Sequence, residues 1–219
     1  MYRNIIFDLG GVLVEFTPRA FLVDHFMNEK LEDQLYAITF GSEEWLRLDA
    51  GLITREEANA IMHEKGAAIG RAFEVDVILT DWFDMLKTRD DTVQLLKRLK
   101  KRGYRLFYLS NIAQDVMDLV SQRKFFRLFE GGIASCDVGI TKPDPRIYQA
   151  LLAQYGLRPT ETIFVDDNRD NAAAASRVGI TGLHYRGLKS TLAQMIQLGI
   201  SFDKKAPPID QPAGAVSAT

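Results

Sequence analysis

The chain has 219 residues, 47% of them hydrophobic, with a net charge of -2 and a pI near 6.0. That length can bury a sizeable core in one domain plus an insert, and the near-neutral charge without a basic stripe excludes an electrostatic nucleic-acid binder. A lone cysteine, Cys136, excludes an intramolecular disulfide, fits a reducing cytosol and is expected to pack in the core.

No run approaches about 18 uninterrupted apolar residues, and the first residues lack a basic start, an apolar run and a small-residue cleavage site. A cytoplasmic protein with no membrane partner is expected. His25, His63 and His184 are scattered, with no paired helical spacing and no cysteine partners, so zinc has no support and all three read as structural or surface residues.

Asn4-Ile5-Ile6-Phe7 is an apolar run, a buried strand that ends on Asp8. Leu9-Gly10-Gly11-Val12-Leu13 follows as a tight turn, so a carboxylate is held at a strand tip beside glycines whose backbone N–H groups can approach an anion. Such a carboxylate is placed to act as a nucleophile, although alone it could equally cap a turn. Thr17-Pro18 reads as N-cap and first residue of a helix carrying Phe21, Leu22, His25 and Phe26 on one side. Thr54-Arg55-Glu56-Glu57 is a capping-box pattern, and nothing from 16 to 88 alternates like a strand. That stretch is expected to be helical.

From Asp91 the rhythm changes. Val93, Leu95, Leu96 and Leu99 form a helical stripe closed by Gly103, and the basic cluster from Lys97 to Arg102 suits the helix end rather than a ligand patch. Strands are expected at Tyr104 to Leu109, Gly132 to Ser135, Thr162 to Val165 and Gly182 to Tyr185, separated by helices starting near Ala113, Pro145, Asn168 and Ser190. The fold class is therefore α/β, a doubly wound parallel sheet with a Rossmann-like core and an inserted α-helical cap. The division is 1–15 and 89–200 for the core, 16–88 for the cap, and 201–219 for a disordered tail holding Pro207, Pro208 and Pro212. In such sheets ligands bind beyond the carboxyl ends of the strands, where Asp8, Ser110-Asn111 and Asp166-Asp167 all fall.

Lys142 lies in Thr141-Lys142-Pro143-Asp144-Pro145-Arg146-Ile147-Tyr148, between the second and third of these points. The ordered set of Asp8, Ser110, Lys142 and Asp166-Asp167 resembles the haloacid dehalogenase superfamily of hydrolases, through all four of its motifs and from Tyr2 to Leu198 outside the insert. The resemblance implies a hydrolase in which Asp8 attacks phosphorus and forms an acyl phosphate, splitting one displacement into two. It implies Mg²⁺ held by Asp8, the Gly10 carbonyl and Asp167, with Asp166 direct or through water, and with Asn171 bracing the pair. Helix N-capping is the competing role for Asp166-Asp167.

Ser110, Asn111 and Lys142 would meet the phosphoryl oxygens, with Gly10 and Gly11 around them. Lys142 would supply the positive charge that phosphoryl transfer needs most. Trp45 is a candidate substrate contact, as are Arg47 and Trp82, although packing of the cap core is the plainer role for both tryptophans.

Position 10 departs from the pattern, because most phosphatases and phosphomutases of the superfamily carry a second aspartate there as general acid. Phe7-Asp8-Leu9-Gly10-Gly11-Val12 is instead similar to a bacterial subgroup containing phosphatases of the α-glucose-1-phosphate type, and the later motifs resemble the phosphatase domain of soluble epoxide hydrolases. The expected substrate is a small phosphate ester, sugar phosphates included, with Glu15 or a substrate hydroxyl replacing the acid. The alternatives are a 2-haloacid dehalogenase, a phosphomutase or phosphotransferase, and a non-catalytic phosphate- or partner-binding module.

Overall fold

The computed structural model describes residues 1–202; most of the expected tail lies outside them. Five strands form one parallel sheet: β1 (Asn4–Phe7), β2 (Arg105–Ser110), β3 (Gly131–Ala134), β4 (Thr162–Asp166) and β5 (Thr181–His184), in the order β3-β2-β1-β4-β5. β1 is central, with Phe7 level with Tyr108 on one side and Val165 on the other. The strand order reverses beside it, so its carboxyl end opens the crevice in which ligands of such sheets bind.

Alternation along the strands sends successive side chains to opposite faces. Ile5, Phe7, Leu106, Ile163 and Val165 join one core cluster, whereas Ile6, Phe107, Leu109 and Phe164 join another. The sheet is buried on both faces, which explains why its strands read as continuous apolar runs. Five α-helices span the insert: α1 (Pro18–Phe26), α2 (Glu29–Ile38), α3 (Glu43–Asp49), α4 (Arg55–Ala68) and α5 (Ala72–Asp81), followed by a 3₁₀ turn at Trp82–Met85. The remaining helices alternate with strands: α6 (Asp90–Lys101), α7 (Gln114–Ser121), α8 (Ser135–Val138), α9 (Pro145–Tyr155), α10 (Arg169–Arg177) and α11 (Leu188–Gln197). Pro145 opens α9 behind an Asp144 cap, and Tyr148 and Ile147 bury its inner face.

The insert leaves and re-enters the sheet domain through one stitched crossing. Glu15 N–H donates to the Lys87 carbonyl at 2.7 Å and Arg89 N–H to the Leu13 carbonyl at 2.8 Å, tying the two chain segments together. The capping box of α4 is present: Thr54 accepts from Glu57 N–H at 3.1 Å and Glu57 accepts from Thr54 N–H at 2.8 Å. Thr17 differs from expectation, since its side chain makes no capping bond and Pro18 alone sets the first turn of α1. α11 starts two residues before the expected Ser190, because Gly187, at φ +107°, lets the chain turn directly into it. Residues 201 and 202 also depart from the expected tail: Ser201 N–H donates to Tyr104 at 3.1 Å, and Phe202 packs beneath Arg98.

Candidate active site

Asp8 stands immediately beyond β1, and its backbone N–H still belongs to the sheet, donating to the Val165 carbonyl at 2.9 Å. Its Oδ1 accepts from Leu9 N–H at 2.7 Å, and its Oδ2 lies 2.9 Å from Lys142 Nζ. Both carboxylate oxygens are thus oriented. Leu13 and Val14 N–H groups close the following turn on the Leu9 carbonyl.

Lys142 is fully buried, so its ammonium must satisfy each of its three protons internally. It does so with Asp8 Oδ2, Asp166 Oδ2 at 2.7 Å and the Leu109 carbonyl at 2.9 Å. Burial alone would lower its pKa, but Asp8 and Asp166 outweigh that and raise it. The ammonium is therefore a fixed charge between two carboxylates. Its backbone is clamped as well: Asn111 Oδ1 accepts from Lys142 N–H at 2.8 Å, and Asn111 Nδ2 donates to the Lys142 carbonyl at 2.9 Å. The Asn111 amide expected to face substrate is engaged in this clamp, next to a cis Lys142–Pro143 bond.

Asp166, at the tip of β4, is saturated with donors. Besides Lys142 it accepts from Asn168 N–H at 2.7 Å and from Asn171 Nδ2 at 3.2 Å on both oxygens. Asn171 braces Asp166, one of the two acids it was expected to brace. The N-cap of α10 is Asn168, whose side chain accepts from Asp170 N–H at 2.8 Å, so neither aspartate has the capping role. Asp167 reaches the open rim, and its carboxylate lies against Gly11. A Cβ on Gly11 would fall 2.0 Å from Asp167 Oδ2, and Gly11 has φ +68°, so a side chain is excluded on both counts. Gly10 is different: a Cβ there would meet only Phe16 Cβ at 3.7 Å, an ordinary contact.

Asp8, Asp166 and Asp167 each bring a carboxylate oxygen within 4.8 Å of the others. Burial first, then Asp166 and Asp167, push the Asp8 carboxyl up to about 8 against the pull of Lys142. Burial and Asp166 raise Asp167 as well. Three carboxylates against one ammonium leave two negative charges in excess if all ionise. An all-oxygen donor set with that excess fits a hard divalent cation such as Mg²⁺, and the Gly11 notch is shaped to admit the carboxylate that completes it.

Ser110 is buried at the tip of β2, and Ser110, Leu9 and Gly10 open onto a cavity of about 60 Å³. Its other walls are Val14, Phe16, Trp45, Trp82, Leu86, Asn111, Ile112, Ala113, Val116, Val120, and one acid, Asp49. Trp45 and Trp82 both line this space and pack the insert, with rings 4.9 Å apart and Phe16 and Phe40 against them. Arg47 is exposed and outside the lining. Glu15 lines a separate surface cavity with Asp24, Asp81 and Lys87, which removes it as the substitute acid beside Gly10.

His25 bonds the Phe21 carbonyl and His63 pairs with Asp76, whereas His184 holds the Asp167 carbonyl at 2.9 Å from behind the site. Cys136 is half-buried at the seam between insert and sheet domain rather than in the core.

Two features escaped the sequence. Arg55 of α4 makes a two-pronged bond to Asp115 of α7, at 2.8 and 3.2 Å, under the rings of Trp45 and Trp82. Asp49 closes α3, where the helix dipole disfavours a negative charge, and its backbone carbonyl accepts from Ser135 Oγ. That misplaced charge is the signal that could have marked it.

Against known proteins, a family model described as haloacid dehalogenase-like hydrolase matches residues 2–179. A sesquiterpene phosphatase of Aspergillus oryzae is 32% identical over 199 residues, spanning 90% of this chain and 96% of its own. Bifunctional epoxide hydrolase 2 of Rattus norvegicus is 25% identical, across 94% of this chain but 41% of its own length. Among solved structures, a haloacid-dehalogenase-family enzyme of Bacteroides thetaiotaomicron, in complex with magnesium and inorganic phosphate, superposes with a TM-score of 0.67. It is 24% identical and is covered over 99% of its length by 88% of this chain.

Proposed function

The chain belongs to the haloacid dehalogenase-like hydrolase family, and from that premise we propose that it is a Mg²⁺-dependent phosphatase of a small phosphate ester, working through an aspartyl phosphate on Asp8. The observation that carries this reading is the buried Lys142, bonded at once to Asp8 and Asp166. A binding module has no need of a carboxylate aimed along a strand axis and held by a fixed cation. An enzyme has, because attack on phosphorus requires the nucleophile in one orientation and a positive charge already in place.

In this reading Asp8, Asp167 and the Gly10 carbonyl would hold the cation, with Asp166 beside it, and a bound cation would offset the repulsion between the ester and Asp8. Asp8 displaces the leaving oxygen from phosphorus, and water then releases phosphate from the acyl phosphate. Lys142 keeps Asp8 oriented and supplies a fixed positive charge behind it, Ser110 faces the transferring group, and Asn111 keeps Lys142 in register. The notch at Gly11 seats the Asp167 carboxylate without a side chain in the way.

The cavity beside Gly10 refines the substrate. Its walls are overwhelmingly apolar, which suits the hydrocarbon part of an ester and offers little to a sugar's hydroxyls. A mostly apolar alcohol is therefore favoured over the sugar phosphates expected from sequence, and the Aspergillus oryzae relative, named for a terpenoid phosphatase activity, is of that kind. A panel of alkyl, terpenyl, aryl and sugar phosphates, assayed with Mg²⁺ and with excess chelator, tests the reading. Mg²⁺-dependent phosphate release with the apolar esters ahead is expected. Turnover of 2-haloacids in chelator, or no turnover of any ester, would overturn it.

A further inference from the structure

Resting on the phosphatase reading, we propose that Asp49, at the end of a helix in the insert, is the general acid and base of the reaction and replaces the aspartate absent from position 10. Among the described residues lining the cavity that opens at Gly10 and Ser110, Asp49 is the one with an ionisable side chain. It lines the same cavity as Gly10, whose own Cβ would meet only Phe16, so an acid from the insert borders the space beside position 10. The sheet domain holds this end of the insert: the Asp49 carbonyl is bonded by Ser135, and Gly51, two residues on, is pressed so closely against Cys136 that a Cβ would fall 2.6 Å from the Cys136 carbonyl.

The surroundings suit a proton donor. Ala113 N–H hydrogen-bonds the carboxyl, and the charged groups facing it are Arg55 of α4, Asp115 of α7 and Lys142 from the loop before α9, with the Cys136 thiol nearby. Burial, opposed by Arg55 and Lys142 and reinforced by Asp115, pushes Asp49 up to about 7, near the value at which an acid both holds its proton at neutrality and gives it up readily.

The step balances. An Asp8 oxygen bonds to phosphorus, the bond from phosphorus to the leaving oxygen breaks, and that oxygen takes the Asp49 proton to depart as an alcohol. In the second step water attacks the phosphorus, gives its proton to Asp49, and Asp8 leaves as a carboxylate.

The test compares Asp49→Asn with wild type on an alkyl phosphate and on p-nitrophenyl phosphate, measuring first-turnover release of the alcohol in saturating Mg²⁺. Asparagine keeps an acceptor for Ala113 and leaves the Ser135 bond, which uses backbone, intact. The expected result is a loss of about 10²–10⁴-fold for the alkyl ester and under about tenfold for the aryl ester, whose leaving group needs no proton. The fall in wild-type alkyl turnover above about pH 7 should vanish in the variant, and phosphorylated Asp8 should persist after quenching. Gly10→Asp added to Asp49→Asn should return part of the alkyl activity, since the structure leaves room at that Cβ. Equal losses on both esters, or none, with wild type active on both, would overturn the assignment of Asp49 alone. Wild type inactive on every ester would overturn the phosphatase reading and this assignment with it.

Discussion

Gly11 and Asp167 fit as notch and plug: the glycine's bare Cα faces the carboxylate so closely that a Cβ would sit 2.0 Å from Oδ2. Gly11→Ala should therefore displace Asp167 and, by disturbing a carboxylate proposed to hold the cation, weaken Mg²⁺ binding by about 10–100-fold, the usual scale for a disturbed metal shell. Gly10→Ala, with only an ordinary contact at 3.7 Å, should leave Mg²⁺ affinity within about threefold. Calorimetric titration of both variants with Mg²⁺ checks the contrast. Equal affinities would mean that Asp167 takes no part in the cation site.

Lys142 carries two roles that one substitution separates from the rest of the fold. Lys142→Met keeps the length of the buried stem but leaves Asp8 and Asp166 facing each other without a cation. Breaking such a buried pair costs about 3–5 kcal/mol, so urea unfolding should show a loss of that order in chelator. Part of the loss should return in Mg²⁺ if the acid cluster binds the ion. Turnover should be abolished under both conditions, because the fixed charge that orients Asp8 and offsets the negative charge at the attack is gone.

The two adjacent acids should behave differently despite their shared motif. Asp166 is spent on Lys142, Asn168 and Asn171, whereas Asp167 faces the rim. Asp167→Ala should lose Mg²⁺ binding with little change in thermal stability. Asp166→Ala should lower the melting temperature sharply, by removing the acceptor for three internal donors, and weaken Mg²⁺ less. The reverse pattern, measured by thermal unfolding and titration, would exchange their roles.

The strands were legible because both faces of the sheet are covered, which turns each one into an apolar run bounded by polar residues and glycine. Asp8, Ser110 and Asp166 were legible for the same reason, since each terminates such a run and the parallel topology brings all carboxyl ends to one edge. Lys142 was not visible from spacing, because its burial depends on three acceptors from three separate segments and only the motif around it pointed there. Asp49 and the Arg55 bond to Asp115 were hidden because each joins the helical insert to a distant helix, 86 residues away for the Ser135 bond to Asp49 and 60 for the bond to Asp115, and helical periodicity carries no register between such elements. Asn111 was read as a ligand group because a serine-asparagine pair at a strand tip gives no sign that its amide will be used up by the Lys142 backbone.

Asp49 also makes stability depend on pH in a stated direction. Folded, its carboxyl holds a proton up to about 7; unfolded, it ionises near its ordinary value of 3.8. Between those values the folded chain binds more protons than the unfolded one, so the contribution is fully present below about 4 and is lost as pH rises through about 7. Asp49→Asn cannot ionise and escapes this loss. The melting temperature of the variant minus that of wild type, both in chelator, should therefore grow from pH 4 to pH 8. A difference that stays flat would place the Asp49 carboxyl in ordinary solvent.

The apolar cavity allows the leaving group to be measured one carbon at a time. Each methylene moved from water into such a space is worth about 0.8 kcal/mol, or roughly a fourfold gain in binding. In a series of n-alkyl phosphates kcat/KM should rise by about that factor per added carbon while the chain still enters the cavity, and then level off when its volume of about 60 Å³ is filled. Val116 is one wall and its side chain has no polar atom, so Val116→Ala should move the levelling point to a longer chain without changing the affinity for inorganic phosphate, which has no apolar part to set against that wall. Sugar phosphates should gain nothing from the variant, because hydroxyls entering an apolar space forfeit their bonds to water. A series that is flat in wild type, or a levelling point that does not move in Val116→Ala, would show that the ester's organic part lies outside this cavity.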